Sequence, residues 1–302
     1  MDQNRRILFA SLIILGSGTL WGLYWVPVRE IAGLGLMAAW GSVAIAAAGL
    51  AFLAPFVWWR RPALALADRW ALAATALGGF AFVLYSIGLV YGQVAVVVIL
   101  FFLSPVWSTL IGRFMLGWPV TRMRLLVLVF GLAGLVLILG AQGVMPVPRA
   151  MGEWLGLASG FCWAVASTVL RIRPPVPPVS GAFVFLGGAF AGGLLVAPLL
   201  APAPQLSGIV AVGPLVMWVA AAGILWWAIM LIGLMWATPQ LEPARTGVLL
   251  MIEVPVAAVS ATVIAAEHLS PPQMLGAVLV VLAGLLEVWP ARRRRRMVMP
   301  GN

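Results

Sequence analysis

Ten apolar runs, at about 7–27, 34–57, 70–90, 94–112, 123–140, 152–170, 180–200, 211–236, 244–265 and 272–290, follow one another with only short breaks between them. A helix rises 1.5 Å per residue, so about 20 residues cross a hydrocarbon layer roughly 30 Å thick. Inside that layer no water is available to the backbone, and a segment must satisfy its own N–H and C=O groups. Each run therefore reads as a transmembrane helix. The breaks are marked by arginine, proline and glycine, as in Arg60-Arg61-Pro62 and Tyr91-Gly92-Gln93, and none is long enough for a soluble domain. Charged residues make up 9% of the 302, where soluble domains carry about 25%. The expected fold is an all-α polytopic membrane protein of ten transmembrane helices.

All 18 basic residues are arginine. Assigning alternate loops to opposite sides collects Arg5, Arg6, Arg60, Arg61, Arg69, Arg113, Arg122, Arg124, Arg171, Arg173, Arg245 and Arg292 to Arg296 on one face, leaving only Arg29 and Arg149 on the other. Under the positive-inside rule this places both termini in the cytoplasm of a cell with an inner membrane. The run at 292–296 has the composition of a tail facing anionic lipid headgroups, and no nucleic-acid motif accompanies it. The stretch after Met1 resembles a signal peptide only in its first residues, because its apolar part runs on to Pro27 without a small-residue cleavage site, so it reads as a retained helix. One cysteine, Cys162, excludes an internal disulfide, and one histidine, His268 beside Glu267 without other ligands, makes only a weak case for a metal; no metal site and no cofactor are expected.

The two halves repeat. Ser17-Gly18, Trp21 and Arg29 recur as Ser159-Gly160, Trp163 and Arg171 at an offset of 142, and Pro105 with Leu132-Ala133-Gly134-Leu135 recurs as Pro255 with Leu282-Ala283-Gly284-Leu285 at an offset of 150. Five crossings per copy make the copies inverted, an architecture from which transporters build alternating access. The expected units are 1–146 and 147–291, followed by a basic tail at 292–302.

Glu253 lies about nine residues into the ninth run. An ionised side chain at that depth costs roughly 2.5 kcal/mol or more unless paired, hydrated or protonated, so it marks a functional site or a carboxyl group hydrogen-bonded between helices. Thr246, Glu253 and Ser260 are seven residues apart and drift only about 20° per step, forming one polar stripe that should face the bundle interior. In the fourth run, Ser104 and Ser108 lie one turn apart beside Trp107. Pro105 and Pro255 should kink their helices at similar depth, as hinges or as packing kinks. Trp21 and Tyr24 in the first run, Tyr85 in the third, Ser159 and Trp163 in the sixth and Trp227 in the eighth are the remaining candidates to line a cavity, with core or lipid packing the alternative for each.

These residues resemble the drug/metabolite transporter superfamily, specifically its EamA-type members. The resemblance covers almost the whole chain. It rests on Leu20-Trp21-Gly22, on Gly88-Leu89-Val90-Tyr91 leading to Leu103-Ser104-Pro105-Val106, on Glu253-Val254-Pro255-Val256, and on Ala265-Ala266-Glu267-His268-Leu269-Ser270 followed by Leu275-Gly276-Ala277. Where the repeat predicts a first-half counterpart of Glu267-His268-Leu269, the chain has Gly117-Trp118-Pro119. The resemblance implies export of amino acids, other small metabolites or drugs.

Hydroxyls, aromatic walls and one carboxylate suit a small amphipathic solute whose amine meets Glu253 while its apolar part stacks on Trp or Tyr. Neutral or aromatic amino acids fit, and so do lipophilic cations. An acid in this place can exchange a proton for a cationic group, which makes Glu253 the proton-coupling candidate as well. The alternative from another class is a structural or channel-like membrane protein. An enzyme is not expected, because the chain has no lysine, its histidine lies in a loop and its only aspartates are Asp2 and Asp68. The partners expected are the solute and membrane lipids. The glycines from Gly131 to Gly140 suit close helix packing, within the bundle or in a homodimer.

Overall fold

The structure, a computed structural model, describes residues 3–59, 66–117, 122–140, 148–241, 246 and 249–288. Arg60 and Arg61, Trp118, Arg245, Trp289 and the basic tail at 292–302 lie outside them, as does the junction at 146 and 147 between the two expected units. Among the described residues every regular element is helical. Seven stretches are long and apolar enough to cross a membrane: α1 (Gln3–Gly33), α2 (Ala38–Trp58), α3 (Arg69–Tyr91), α4 (Val94–Phe114), α6 (Met151–Arg171), α7 (Pro178–Leu200) and α8 (Val212–Gln240). Between and after them come three further apolar helices: α5 (Arg122–Leu139), α9 (Glu253–Ala265) and α10 (Pro271–Val288). Each apolar run of the sequence meets one of these helices. The ninth is interrupted at Met251–Ile252, with Thr246 and Leu249–Leu250 helical before the interruption and α9 after it.

Proline explains that interruption. A proline has no N–H for the carbonyl four residues back, and its ring crowds that carbonyl. Regular helix gives way to turns at Leu23–Tyr24, Phe102–Leu103 and Met251–Ile252, and Pro27, Pro105 and Pro255 follow in the first turn of the next helical piece. The displaced carbonyls find nearer donors: the Leu23 carbonyl accepts from Val26 N–H at 3.1 Å and that of Met251 from Val254 N–H at 3.2 Å. In α8 the break takes another form, a π-helical segment over Ala222–Met230 that carries Trp226 and Trp227.

Packing is specific. α3 lies against α6 and α7, α7 against α2, α2 and α1 against α8, α1 against α9, the second piece of α4 against α6, and α5 against α10. Glycine brings several of these pairs together. A Cβ on Gly134 would stand 2.7 Å from the Gly276 carbonyl oxygen, and one on Gly276 would stand 2.7 Å from that of Gly134, so α5 and α10 touch backbone to backbone. In the same way a Cβ on Gly160 of α6 would meet the Phe101 carbonyl oxygen at 2.8 Å.

Gly134→Leu should force α5 and α10 apart and destabilise the bundle by about 1–3 kcal/mol, the usual range for overpacking. The check is a lowered thermal unfolding midpoint of the purified protein in detergent, with Gly16→Leu, at a position where an added Cβ meets nothing within 4 Å, as the comparison.

Candidate functional site

The turn at Met251–Ile252 makes Glu253 the first residue of α9 and sets its side chain in the bundle interior, where the residue is 7% exposed. Across from it, on α3, the Tyr85 hydroxyl donates to Glu253 Oε1 at 2.9 Å. The tyrosine is itself buried. Beside this pair the Tyr24 and Ser86 hydroxyls lie 2.9 Å apart, and those of Ser42 and Ser86 2.8 Å apart, so one chain of hydroxyls joins α1, α3 and α2. On the other flank the Trp25 indole N–H donates to Ser260 Oγ at 2.9 Å, and the Trp226 indole N–H donates to the Leu20 carbonyl at 2.7 Å, close to the α1 break. The stripe of Thr246, Glu253 and Ser260 thus does face inward, all three residues being buried.

Aromatic rings enclose these groups. Phe82, one helical turn before Tyr85, has its ring centroid 5.0 Å from Trp21, 5.3 Å from Trp163, 5.3 Å from Phe185, 5.5 Å from Phe101 and 6.0 Å from Tyr85. Trp21 also packs on Tyr24 at 5.0 Å and on Trp227 at 6.3 Å. Such tilted and edge-on pairs are favourable beyond their buried area.

Of the residues picked out in the sequence, Trp21, Tyr24, Tyr85, Trp163, Trp227 and Glu253 come together in this way. Ser159 lies nearby, but its hydroxyl is committed to the Ala81 carbonyl at 2.6 Å. Ser104, Trp107 and Ser108 occupy the piece of α4 beyond its break, where Trp107 packs edge-on against Phe161 at 5.8 Å rather than on the cluster. The sequence reading passed over Phe82, Phe101 and Phe185. Phe82 shares a face with Tyr85 at a spacing of three, which is a helical signal, whereas Phe101 and Phe185 enter only because α4 and α7 pack where they do.

The two ends of the bundle differ. At the end carrying Arg69, Arg171 and Arg173, a cavity of about 300 Å³ reaches in between α3, α6, α7, α8 and Thr246 with Leu250, and it meets the cluster at Trp163 and Phe185. At the opposite end Arg29 is bound on three sides. It pairs with Glu267 at 2.7 Å and donates to the Leu89 carbonyl at 3.0 Å and the Gly92 carbonyl at 2.9 Å. The second oxygen of Glu267 accepts from Val94 N–H at 2.8 Å, at the start of α4, where a helix N-terminus favours an anion. Glu267 reaches this position because Ala266, at φ 51°, takes a left-handed turn that ends α9. A wider groove of about 660 Å³ runs along α9 and α10 past Pro255 and His268, beside the exposed Val259 and Val263, on the face that lipid covers.

Residues 8–140 match the EamA-like transporter family. That stretch runs from α1 to α5 and contains Trp21, Tyr24, Phe82, Tyr85 and Phe101, five of the eight rings of the cluster just described. None of the curated proteins matches the sequence. Among solved structures, one described as "Crystal structure of protein" is 19% identical, with a TM-score of 0.55, and covers 92% of this chain and 95% of its own. At that identity the likeness is one of fold, and it extends over both halves. The chain is a multi-pass membrane protein whose residues 8–140 are similar to the EamA-like transporter family.

Removing the Tyr85 hydroxyl leaves the Glu253 carboxyl without its described partner, at a cost of about 1–3 kcal/mol. Tyr85→Phe should therefore lower the thermal midpoint in detergent, and combining it with Glu253→Gln should cost less than the sum of the two single changes. Strict additivity would mean that the two side chains are not coupled.

Proposed function

We propose that the chain is a secondary transporter that exports small amphipathic metabolites, neutral or aromatic amino acids foremost, by alternating access between two inverted five-helix repeats. The observation that carries this reading is the buried Glu253–Tyr85 pair inside the aromatic cluster, with a cavity on one side and a closed end on the other. The family match supports transport of small molecules in general. The helix packing supports the repeat: adding five to the helix numbers turns α3–α6 into α8–α1, α3–α7 into α8–α2 and α4–α6 into α9–α1, while α2–α7 and α5–α10 map onto themselves. All of these pairs are packed. The helix breaks before Pro105 and Pro255 fall at matching places and are the proposed hinges.

The arginine distribution assigns the cavity end and both termini to the cytoplasm of an inner-membrane protein. The solute would enter from that side of the membrane, part the aromatic rings and reach Glu253, which exchanges its proton for the amine. The Arg29–Glu267 pair then closes the outer end and has to part for release. Efflux of lipophilic cations is the second reading, favoured by the carboxylate among so many aromatic faces.

The deciding experiment is counterflow into proteoliposomes, comparing labelled Phe, Met and Thr with tetraphenylphosphonium at two pH gradients. Saturable amino-acid counterflow that responds to pH and is lost in Glu253→Gln is the expected result. Cation uptake alone moves the assignment to efflux, and flux that neither saturates nor exchanges makes the protein a channel. Glu267→Gln keeps an acceptor for Val94 N–H but removes the ion pair. It should shift the balance between the two access states by about fivefold or more, read as opposite changes in KM for solute at the two faces; equal KM values at both faces would make the pair a fixed strut.

A further inference from the structure

We infer that the cavity beneath Trp163 and Phe185 is a binding site of its own, selective for an uncharged aromatic solute bearing one hydrogen-bonding group. Its volume, about 300 Å³, lies at the lower end of the range for small-ligand pockets. Trp163 and Phe185 roof it, and Leu231, Leu234, Met235 and Leu250 line its sides. Gly78 shapes the roof. A Cβ there would lie 3.2 Å from Phe185 and 3.3 Å from Trp163, so the absence of a side chain lets both rings come down on α3 and present themselves to the space below.

Three hydroxyls supply the polarity, and they are not equivalent. Thr75 donates to the Ala71 carbonyl at 2.7 Å and Thr238 to the Leu234 carbonyl at 2.7 Å, so both are spent as donors. Thr246 is 6% exposed and lines the cavity, and among the described residues its hydroxyl has no hydrogen-bond partner. Buried hydroxyls are nearly always paired. This one is left for a guest: a phenol, alcohol, carbonyl or indole N–H whose ring lies against Trp163 and Phe185.

Charge is what the cavity does not offer. Among the described residues its lining holds no Asp, Glu, Arg or His, and Glu253 is turned to Tyr85 within the aromatic cluster. The ammonium and carboxylate of an amino acid would both lose water here without finding a counter-charge, and that penalty far exceeds one hydrogen bond. The site therefore discriminates against the zwitterions proposed as cargo at Glu253. Its role in transport rests on that proposal; its occupancy does not.

The single cysteine makes the test clean. In a Cys162→Ala background, Thr246→Cys in proteoliposomes should react with a small methanethiosulfonate reagent. Indole or p-cresol should slow that reaction several-fold, and phenylalanine at the same concentration should not. Thr262→Cys, on the lipid-facing groove, controls for solutes that merely perturb the bilayer and should be unaffected. Direct binding of indole to the otherwise native protein, read by saturation-transfer NMR and weakened in Thr246→Val, covers a cysteine variant that fails to fold. Equal protection by indole and phenylalanine would overturn the selectivity for uncharged solutes. Labelling that indole leaves unchanged, together with no saturation transfer, would overturn the site. Neither readout involves flux, so a failure here is distinguishable from a failure of the transport proposal.

Discussion

A carbonyl released inside hydrocarbon has no water to turn to, and this constraint governs where the helices of this protein can break. The three breaks before Pro27, Pro105 and Pro255 are tolerated because close donors take up the freed carbonyls, as Val26 and Val254 do, and because the breaks lie within a packed bundle. Each break also turns a helix start inward. Glu253 and Trp25 are the first residues after two of them, and both side chains end in buried hydrogen bonds. The irregular backbone is thus what delivers polar groups to the centre of an otherwise apolar molecule.

The same economy of polar atoms runs through the interior. Most buried hydroxyls are matched: Ser86 to Tyr24 and Ser42, Ser159 to a backbone carbonyl, Ser260 to Trp25. A matched network is rigid, because moving one member strands another in a low dielectric. Against that background the hydroxyls of Thr246 and Ser180, unmatched among the described residues, stand out, and so does the asymmetry between the ends. One end is held by charges that cross-link α1, α3, α4 and the exit of α9, while the other opens into a cavity with apolar walls.

How much of this was legible in the sequence follows from which forces act locally. The ten apolar runs, their arginine-marked breaks and the anomalous carboxylate could be read directly, because helix length and side-chain charge are properties of a segment alone. The prolines also announced their breaks, because a missing N–H is a property of the residue itself. The hub residue Phe82 was missed for a different reason. Phenylalanine is equally at home against lipid and in a core, and only the approach of α6 and α7 to α3 decides between the two.

The sequence by itself determined that the chain crosses a membrane several times and that Glu253 is out of place in hydrocarbon. Tertiary structure alone decided that Tyr85 is the partner of Glu253, that Arg29 meets Glu267, and that Trp107 packs on Phe161 while Trp163 packs on Phe82. These pairings join residues that lie up to 238 positions apart, on different helices. Which helices touch is set by glycine contacts and shape complementarity between whole faces, and no local pattern along the chain encodes that choice.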